Sequence, residues 1–280
     1  MGEVVSRHLK KATAEPLTPE ETTSLTGDDC NYNFLNQQIP FLRILGDNQE
    51  FLTVVGNSFK KFLETGSRSN EKLKILHGAI AKDLKERLGA GYYVQSLGIG
   101  NGKEMKLDGR YIDKVVDITI LKNSKPIAGI GVKFVMQNYS QNSNNYFENM
   151  LGETANIRCA NIPYFQIFII PDKLPYYKND GTIQKWEEFS VHNSAKYLTL
   201  SEDDIQTSVH TPTKTLLFVV HLPEIKEEVF DRYDYVHYYE RQQNLQVCES
   251  PMQYGTFSSA VVHNDYEDFA DKVVHYIRFL

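Results

Sequence analysis

The segment covering residues 111–133 constrains the fold more than any other part of the chain. It reads YIDKVVDITILKNSKPIAGIGVK. Residues 111–121 and 127–135 are rich in the β-branched and apolar residues that favour strands, and residues 123–126 between them have the composition of a turn. The pattern therefore predicts two neighbouring strands joined as an antiparallel hairpin.

The hairpin places an acid, Asp117, and a base, Lys133, on adjacent strands. A carboxylate and an ammonium group in this arrangement can hold a divalent metal and a phosphodiester together. Other interpretations stay open, because Asp117 could be an exposed strand residue and Lys133 would need solvent or a carboxylate partner. Asp113 shares the face of Asp117 by two-residue alternation, so it could be a ligand or an ion-pair partner of Lys114 or Arg110.

The segments around the hairpin extend this pattern into an α/β succession. From residue 71 to residue 171 the predicted order is helix, strand, strand, strand, helix, strand. Helices are predicted from apolar residues at three- and four-residue spacing, and strands from short β-branched or aromatic runs. Beyond the hairpin, the predicted elements are helices at 69–89 and 144–158 and strands at 92–99, 164–170 and 215–222.

Length and composition favour one globular domain over two small ones. The chain has 280 residues, of which 41% are hydrophobic and 24% charged, a profile that excludes fibrous and disordered classes. We expect a core at about 69–222, with accessory regions at 1–68 and 223–280 that add helices. These accessory signals are a helix start at Thr18 and Pro19, a helix ending near Gly66 and a closing helix at 266–280.

The sequence also limits the compartment and the partners. The longest apolar runs, at 165–171 and 216–222, are far shorter than the roughly 20 residues that cross a bilayer, so no membrane span is expected. The N-terminal residues have no apolar stretch typical of a signal peptide, which favours a cytoplasmic protein. The net charge of −6 argues weakly against a protein that coats nucleic acid, but a local basic cleft remains compatible with it.

Together, this succession of elements, with Asp117 late in the second strand and Lys133 in the third, resembles the PD-(D/E)xK nuclease superfamily. That superfamily includes many type II restriction endonucleases. The resemblance covers residues 71–171 and implies a restriction-endonuclease-like mixed central sheet flanked by helices. It also implies Mg²⁺-dependent hydrolysis of double-stranded DNA, commonly by a homodimer, and a place in a restriction-modification system.

At the motif itself the chain departs from the family pattern, because Gly131 stands where the family usually has an acid two residues before the lysine. Some members take this acid from the following helix. The resemblance therefore implies Asp117, Lys133 and Glu148 as catalytic residues, with Mg²⁺ held by Asp117, Glu148 and the backbone carbonyl of Val132. The secondary candidates are Glu153, which lies about 140° from Glu148 around the helix, and Glu71 and Asp113.

The segment after Lys133 is rich in amide side chains that can pair with adenine edges in the major groove. The predicted DNA-binding residues are Gln137, Asn138, Tyr139, Gln141, Asn144 and Asn145, with Tyr139 directed to backbone phosphate. The segment could equally be a polar loop. Two other functions also remain open. The first is a noncatalytic DNA-binding or assembly protein that keeps the nuclease fold, and the second is an unrelated α/β protein whose strands match by chance.

Overall fold

The computed structural model describes residues 48–242 and 245–280. The predicted helix start at Thr18 and Pro19 lies outside these residues. The helices are α1 (Asn48–Thr65), α2 (Glu71–Leu88), α3 (Tyr139–Arg158), α4 (Val191–Ser201), α5 (Arg232–Glu240) and α6 (Tyr266–Arg278). The strands are β1 (Tyr92–Ser96), β2 (Met105–Leu107), β3 (Lys114–Val116), β4 (Ile118–Lys122), β5 (Lys125–Phe134), β6 (Tyr164–Pro171), β7 (Lys173–Tyr177), β8 (Ile183–Glu188), β9 (Lys214–His221), β10 (Cys248–Glu249) and β11 (Val261–His263).

The described residues form a mixed α/β unit around a seven-stranded sheet in the order β1-β4-β5-β6-β9-β10, with β11 also paired to β9. Strands β1, β4 and β5 are antiparallel, whereas β5, β6, β9 and β11 are parallel. The predicted mixed sheet flanked by helices is confirmed. Strand β6 is buried along its whole length, as its continuous apolar sequence predicts.

The predicted hairpin is confirmed for β4 and β5, with Ile118 opposite Ile130. At the turn, Asn123 and Ser124 both have positive φ, the backbone conformation of the tight turns that join twisted strands. The prediction of one continuous strand over residues 111–121 is wrong. The chain bends at Asp117, and β3 leaves the main sheet to pair with β2.

Helices cover both faces of the sheet, and alternate residues of β6 point to each. Phe165 and Ile167 pack with α1, α2 and α6, whereas Phe168 and Ile170 pack with α3 and α4. The described residues of both terminal regions therefore contribute to the main core. Phe51 of α1, for example, stacks on Tyr266 of α6, with ring centroids 4.1 Å apart.

Six elements of the C-terminal half have only weak sequence patterns and were not predicted: β7, β8, α4, α5, β10 and β11. The local signals of the two helices are caps. The side chain of Asp231 accepts a hydrogen bond from the backbone N–H of Asp234 at the start of α5, and Ser190 and Asn193 form a capping box at the start of α4. Among the helices of the described segments, none is both long enough and apolar enough to cross a membrane.

Candidate functional site

A cavity of about 390 Å³ opens where β3 diverges from the main sheet. Helix α2 borders it on one side and helix α3 on the other, and the C-terminal half of β5 forms its floor. Asp117 and Lys133 both line this cavity, so the structure brings the two predicted residues together. A strand that separates from its neighbour leaves backbone groups available to a ligand, which a fully paired sheet does not.

Asp117 lies at the bend between β3 and β4 and replaces the missing strand partner of β5. The backbone N–H of Val132 donates to Asp117 Oδ2 at 2.7 Å, and Ser96 Oγ donates to the backbone carbonyl of Asp117 at 2.7 Å. In an extended strand, the N–H and C=O of one residue point to the same side. The carbonyl of Val132, a predicted metal ligand, therefore faces the same gap as the Asp117 carboxylate.

Lys133 is half-buried on the cavity wall, with its Nζ 3.9 Å from the centroid of the Tyr146 ring. Burial lowers the pKa of Lys133, while the carboxylates of Asp117 and Glu153 act in the opposite direction. The aromatic face and the two acids together accommodate a cation that would otherwise be costly to bury. Such an amine holds its proton less tightly than an exposed lysine.

Gly131, at the position of the missing family acid, has no room for a side chain. A Cβ atom built there would lie 2.5 Å from Tyr164 Oη and 2.6 Å from Gln166 Oε1. These two side chains project from β6, where Gln166 lies opposite Gly131 in the parallel register. They fill the space that an acid would need. Gln166 was missed from the sequence, although a single polar residue within a buried apolar strand was a usable signal.

Helix α3 presents Glu153 to the cavity, not the first candidate Glu148. The residues of α3 that line the cavity are Tyr146, Asn149, Met150 and Glu153, which share one face by their spacing. Glu148 points away from this face and is exposed. The preference for Glu148 is therefore corrected, because Glu148 lies on the exposed side of α3 and Glu153 on the side that faces the cavity.

Glu153 also has partners that hold it at the cavity. It accepts a hydrogen bond from Tyr164 Oη at 3.3 Å and forms an ion pair with Lys114. Neither of the other secondary candidates lines the cavity. Glu71 is exposed and pairs with Lys74 at 2.6 Å, and Asp113 is exposed and pairs with Lys106.

On the other side of Asp117, the structure assembles a group that sequence reasoning missed. One potential ligand atom from each of His77, Glu104 and Asp117 lies within 4.8 Å of the other two. His77 is only 1% exposed, and neither ring nitrogen has a hydrogen-bond partner among the described residues. In the sequence, His77 lies beside the apolar face of the first predicted helix, a position typical of a structural histidine, and Glu104 lies in a loop with no pattern.

The protonation states of this group suit a metal ion. Burial lowers the pKa of His77 more than Asp117 raises it, so the imidazole is held neutral. Burial, and then the charge of Asp117, raises the pKa of the Glu104 carboxyl, because the two acids compete in a confined space. A neutral imidazole and two carboxylates are the donors that divalent metals bind in proteins.

Most of the predicted DNA-binding segment belongs to helix α3, which begins at Tyr139 instead of at residue 144. Tyr139 is only 4% exposed and packs edge-on against Phe189, with ring centroids 5.5 Å apart. Its predicted contact with phosphate is therefore corrected, since the side chain lies in the core. Asn144 Oδ1 accepts a hydrogen bond from Lys196 Nζ at 3.3 Å, and Asn145 is exposed.

Gln137, Asn138 and Gln141 line a second cavity of about 400 Å³, between the start of α3 and the β7–β8 hairpin. The side-chain oxygen of Asn138 accepts a hydrogen bond from the N–H of Tyr177 at 3.0 Å, which joins the helix to the hairpin. Gln137 accepts a hydrogen bond from Arg232. The side chains of Asn138 and Gln137 thus already form hydrogen bonds within the protein, whereas the side chain of Gln141 is exposed.

Comparisons of the chain with protein-family models, curated proteins and solved structures find no match. Relatives therefore contribute nothing to the functional argument. The cavity at Asp117 and the side chains that line it are therefore the basis for a function.

Proposed function

We propose that the chain is a metal-dependent endonuclease that hydrolyses DNA phosphodiesters, a member of the PD-(D/E)xK superfamily of the type II restriction endonuclease kind, with a restriction-endonuclease-like fold. The observation that carries the proposal is the convergence of Asp117 and Lys133 in one cavity, at the point where a strand leaves the sheet. An acid and a base on neighbouring strands can hold a divalent ion and orient the water that attacks a phosphodiester.

The donor set fits the Mg²⁺ ion that the superfamily implies. Asp117, the carbonyl of Val132 and Glu153 would hold it, because all three residues line the cavity and Mg²⁺ prefers oxygen ligands. Glu153 takes the role first assigned to Glu148. When bound, the ion would supply Lewis-acid chemistry, polarising the phosphoryl oxygen and lowering the pKa of water.

Lys133 would act on the reacting groups directly. Its Nζ lies over the Tyr146 ring and is influenced by the charges of both Asp117 and Glu153, so it is positioned without being locked in a single ion pair. The lowered pKa of Lys133 brings it closer to the working pH, where an amine can both accept a proton from attacking water and stabilise negative charge on the phosphate.

The proposed partner is double-stranded DNA, cut by a homodimer in the cytoplasm. Support for DNA comes from the polar cavity at the start of α3, lined by the amides of Gln137 and Gln141 and by Arg232. Gln137 is four residues from Lys133, so the two Cα atoms lie within about 15 Å of each other. That distance corresponds to about five base pairs along a duplex.

One observation favours the alternative of a noncatalytic DNA-binding or assembly protein. Tyr164 and Gln166 occupy the space beside Gly131 in which the family acid normally stands. A protein that had lost hydrolysis could fill the position in this way. The two functions differ in whether Glu153 supplies the acid that Gly131 cannot.

Cleavage of a mixed library of DNA duplexes with Mg²⁺ tests the proposal. Discrete cleavage is expected, and Lys133→Met should reduce its rate at least about a hundredfold, because a general acid–base group contributes this much or more. Lys125→Met is the matched control: it removes an exposed lysine from the same strand and should leave the rate unchanged. Duplexes that are bound but uncut by the unaltered protein would support the noncatalytic alternative instead.

A further inference from the structure

The buried imidazole of His77 is the feature that the proposed hydrolysis leaves unused. We propose that His77, Glu104 and Asp117 form a second cation site, on the α2 side of Asp117, which binds a first-row transition-metal ion such as Mn²⁺. The site is defined by ligand atoms within 4.8 Å of one another and does not depend on the nuclease proposal for its existence. Its catalytic use would rest on that proposal.

The environment of His77 is the main argument for a ligand. Polar groups inside proteins are almost always hydrogen-bonded, and leaving one unsatisfied costs about 1–3 kcal/mol. His77 is 1% exposed with both ring nitrogens unpartnered among the described residues, although two carboxylates lie close by. A bound cation would satisfy one nitrogen and would also neutralise Glu104 and Asp117, which otherwise repel each other.

The position of the histidine is maintained by packing. Gly78, the next residue of α2, approaches the backbone of Gly98 so closely that a Cβ atom there would lie 3.2 Å from the Cα of Gly98. This contact holds α2 against the loop that leads to Glu104. His77, which precedes Gly78, is therefore held beside that loop. This position brings its imidazole close to Glu104 and Asp117.

The chemical types of the three ligand groups determine which metal ion they bind best. One imidazole nitrogen and two carboxylates suit Mn²⁺, Zn²⁺ or Fe²⁺, whereas Mg²⁺ strongly prefers a shell made only of oxygen atoms. Neighbouring ligand atoms on such an ion lie about 3–3.5 Å apart, so the three side chains would move closer together on binding it. Three protein ligands leave coordination positions open for water or phosphate.

The shared Asp117 deepens the proposed function. Its carboxylate borders both this group and the gap beside Val132, where we place the oxygen-liganded ion. Two ions that share a carboxylate typically lie about 3.5–4 Å apart, the spacing with which paired metals stabilise both the attacking and the leaving oxygen of a phosphodiester. The chain would then use two different cations.

Calorimetric titration of the full chain with Mn²⁺, without DNA, tests the site. Binding is expected, and His77→Gln and Glu104→Gln should each weaken Mn²⁺ affinity by at least about tenfold. The matched controls are His192→Gln and Glu86→Gln, which alter exposed side chains on other surfaces and should change nothing. Of the two variants, Glu104→Gln is the one less able to disturb folding, because Glu104 lies in a loop and is only partly buried.

Imidazole NMR signals give a second readout. Mn²⁺ is paramagnetic, so it should broaden the His77 ring signals first and leave those of His192 sharp. The proposal is overturned if the unaltered protein binds no Mn²⁺, or if both variants bind it as tightly as the unaltered protein; His77 is then a neutral core histidine. Mn²⁺ binding without DNA cleavage would refute the nuclease alone, and cleavage with no Mn²⁺ site at His77 would refute this inference alone.

Discussion

The two ends of helix α2 both bury polar side chains, but they satisfy them in opposite ways. Towards its C-terminus, Asp83 accepts hydrogen bonds from Arg87 Nε at 3.0 Å and from Tyr266 Oη at 2.9 Å, and Arg87 also donates to Asp271 at 2.6 Å. Nearer its N-terminus, His77 has no hydrogen-bond partner among the described residues.

This difference separates a structural cluster from a candidate ligand site within one helix. A buried charge that is fully hydrogen-bonded joins elements, and the Asp83 cluster links α2 to α6 in this way. Buried polar groups without partners lower stability unless a ligand completes them. The His77 end borders the cavity that contains Lys133, whereas the Asp83 end does not line it. We therefore expect substitutions at the two ends to change different properties.

The largest effect on stability is expected from Arg87→Met, which leaves the buried Asp83 carboxylate without its main partner. Removing one member of a buried ion pair costs about 3–5 kcal/mol of unfolding free energy. Urea denaturation would measure it, with Lys85→Met as the control because Lys85 is exposed on the same helix.

Lys133→Met makes the same type of change at the cavity, and should leave the unfolding free energy nearly unchanged while DNA cleavage is lost. Arg87→Met should thus lower stability and keep cleavage, whereas Lys133→Met should keep stability and lose cleavage. A large loss of stability in Lys133→Met, or a loss of cleavage in folded Arg87→Met protein, would contradict the separation of the two ends.

For Gly131→Asp, the family motif and the structure make opposite predictions. The family pattern predicts that an acid here restores a metal ligand and raises activity. The contacts with Tyr164 and Gln166 predict instead a loss of about 1–3 kcal/mol through overpacking, together with lower activity. Gly152→Asp on α3 is the control, since a Cβ atom there meets nothing within 4 Å. Higher activity in Gly131→Asp would show that Tyr164 and Gln166 move to make room for the new side chain.

Glu153→Gln should raise the Mg²⁺ concentration needed for half-maximal cleavage by about tenfold. Glu148→Gln should not change it, because Glu148 is exposed on the other side of the same helix. Stability should change by less than about 1 kcal/mol in both variants, since the ion pair of Glu153 with Lys114 is partly exposed. The reverse result would return the ligand role to Glu148.

The smallest effect is expected at another satisfied pair, where His221 Nδ1 lies 3.0 Å from Asp172 Oδ2. The hydrogen bond with Asp172 raises the pKa of His221 above its ordinary 6.5. The folded state therefore binds the proton more tightly than the unfolded state. This contribution to stability is fully present below pH 6.5 and is lost as the pH rises through the raised pKa.

Melting temperatures measured across this range would test the linkage. The unaltered protein should lose a small part of its stability as the pH rises, and His221→Gln should remove that slope. His210→Gln is a useful control because His210 is more exposed and lies 3.7 Å from its acid, Asp203. An unchanged slope in His221→Gln would assign the pH dependence to other groups.

The amino-acid sequence alone determined the elements whose patterns are local. Helix α2, the β4–β5 hairpin and strand β6 follow from apolar spacing, turn residues and a continuous apolar run, and each forms as predicted. The placement of Asp117 and Lys133 on adjacent strands follows too, because a hairpin makes its two strands neighbours.

How the candidate site is completed depends on the tertiary structure. The bend at Asp117, the filled space at Gly131 and the choice of Glu153 over Glu148 depend on packing between elements that are distant in sequence. Helical periodicity shows that two acids lie on different sides of α3, but not which side meets the sheet. His77 and Glu104 come together only because the loop before β2 folds against α2, and such long-range contacts leave no periodic signal in the chain.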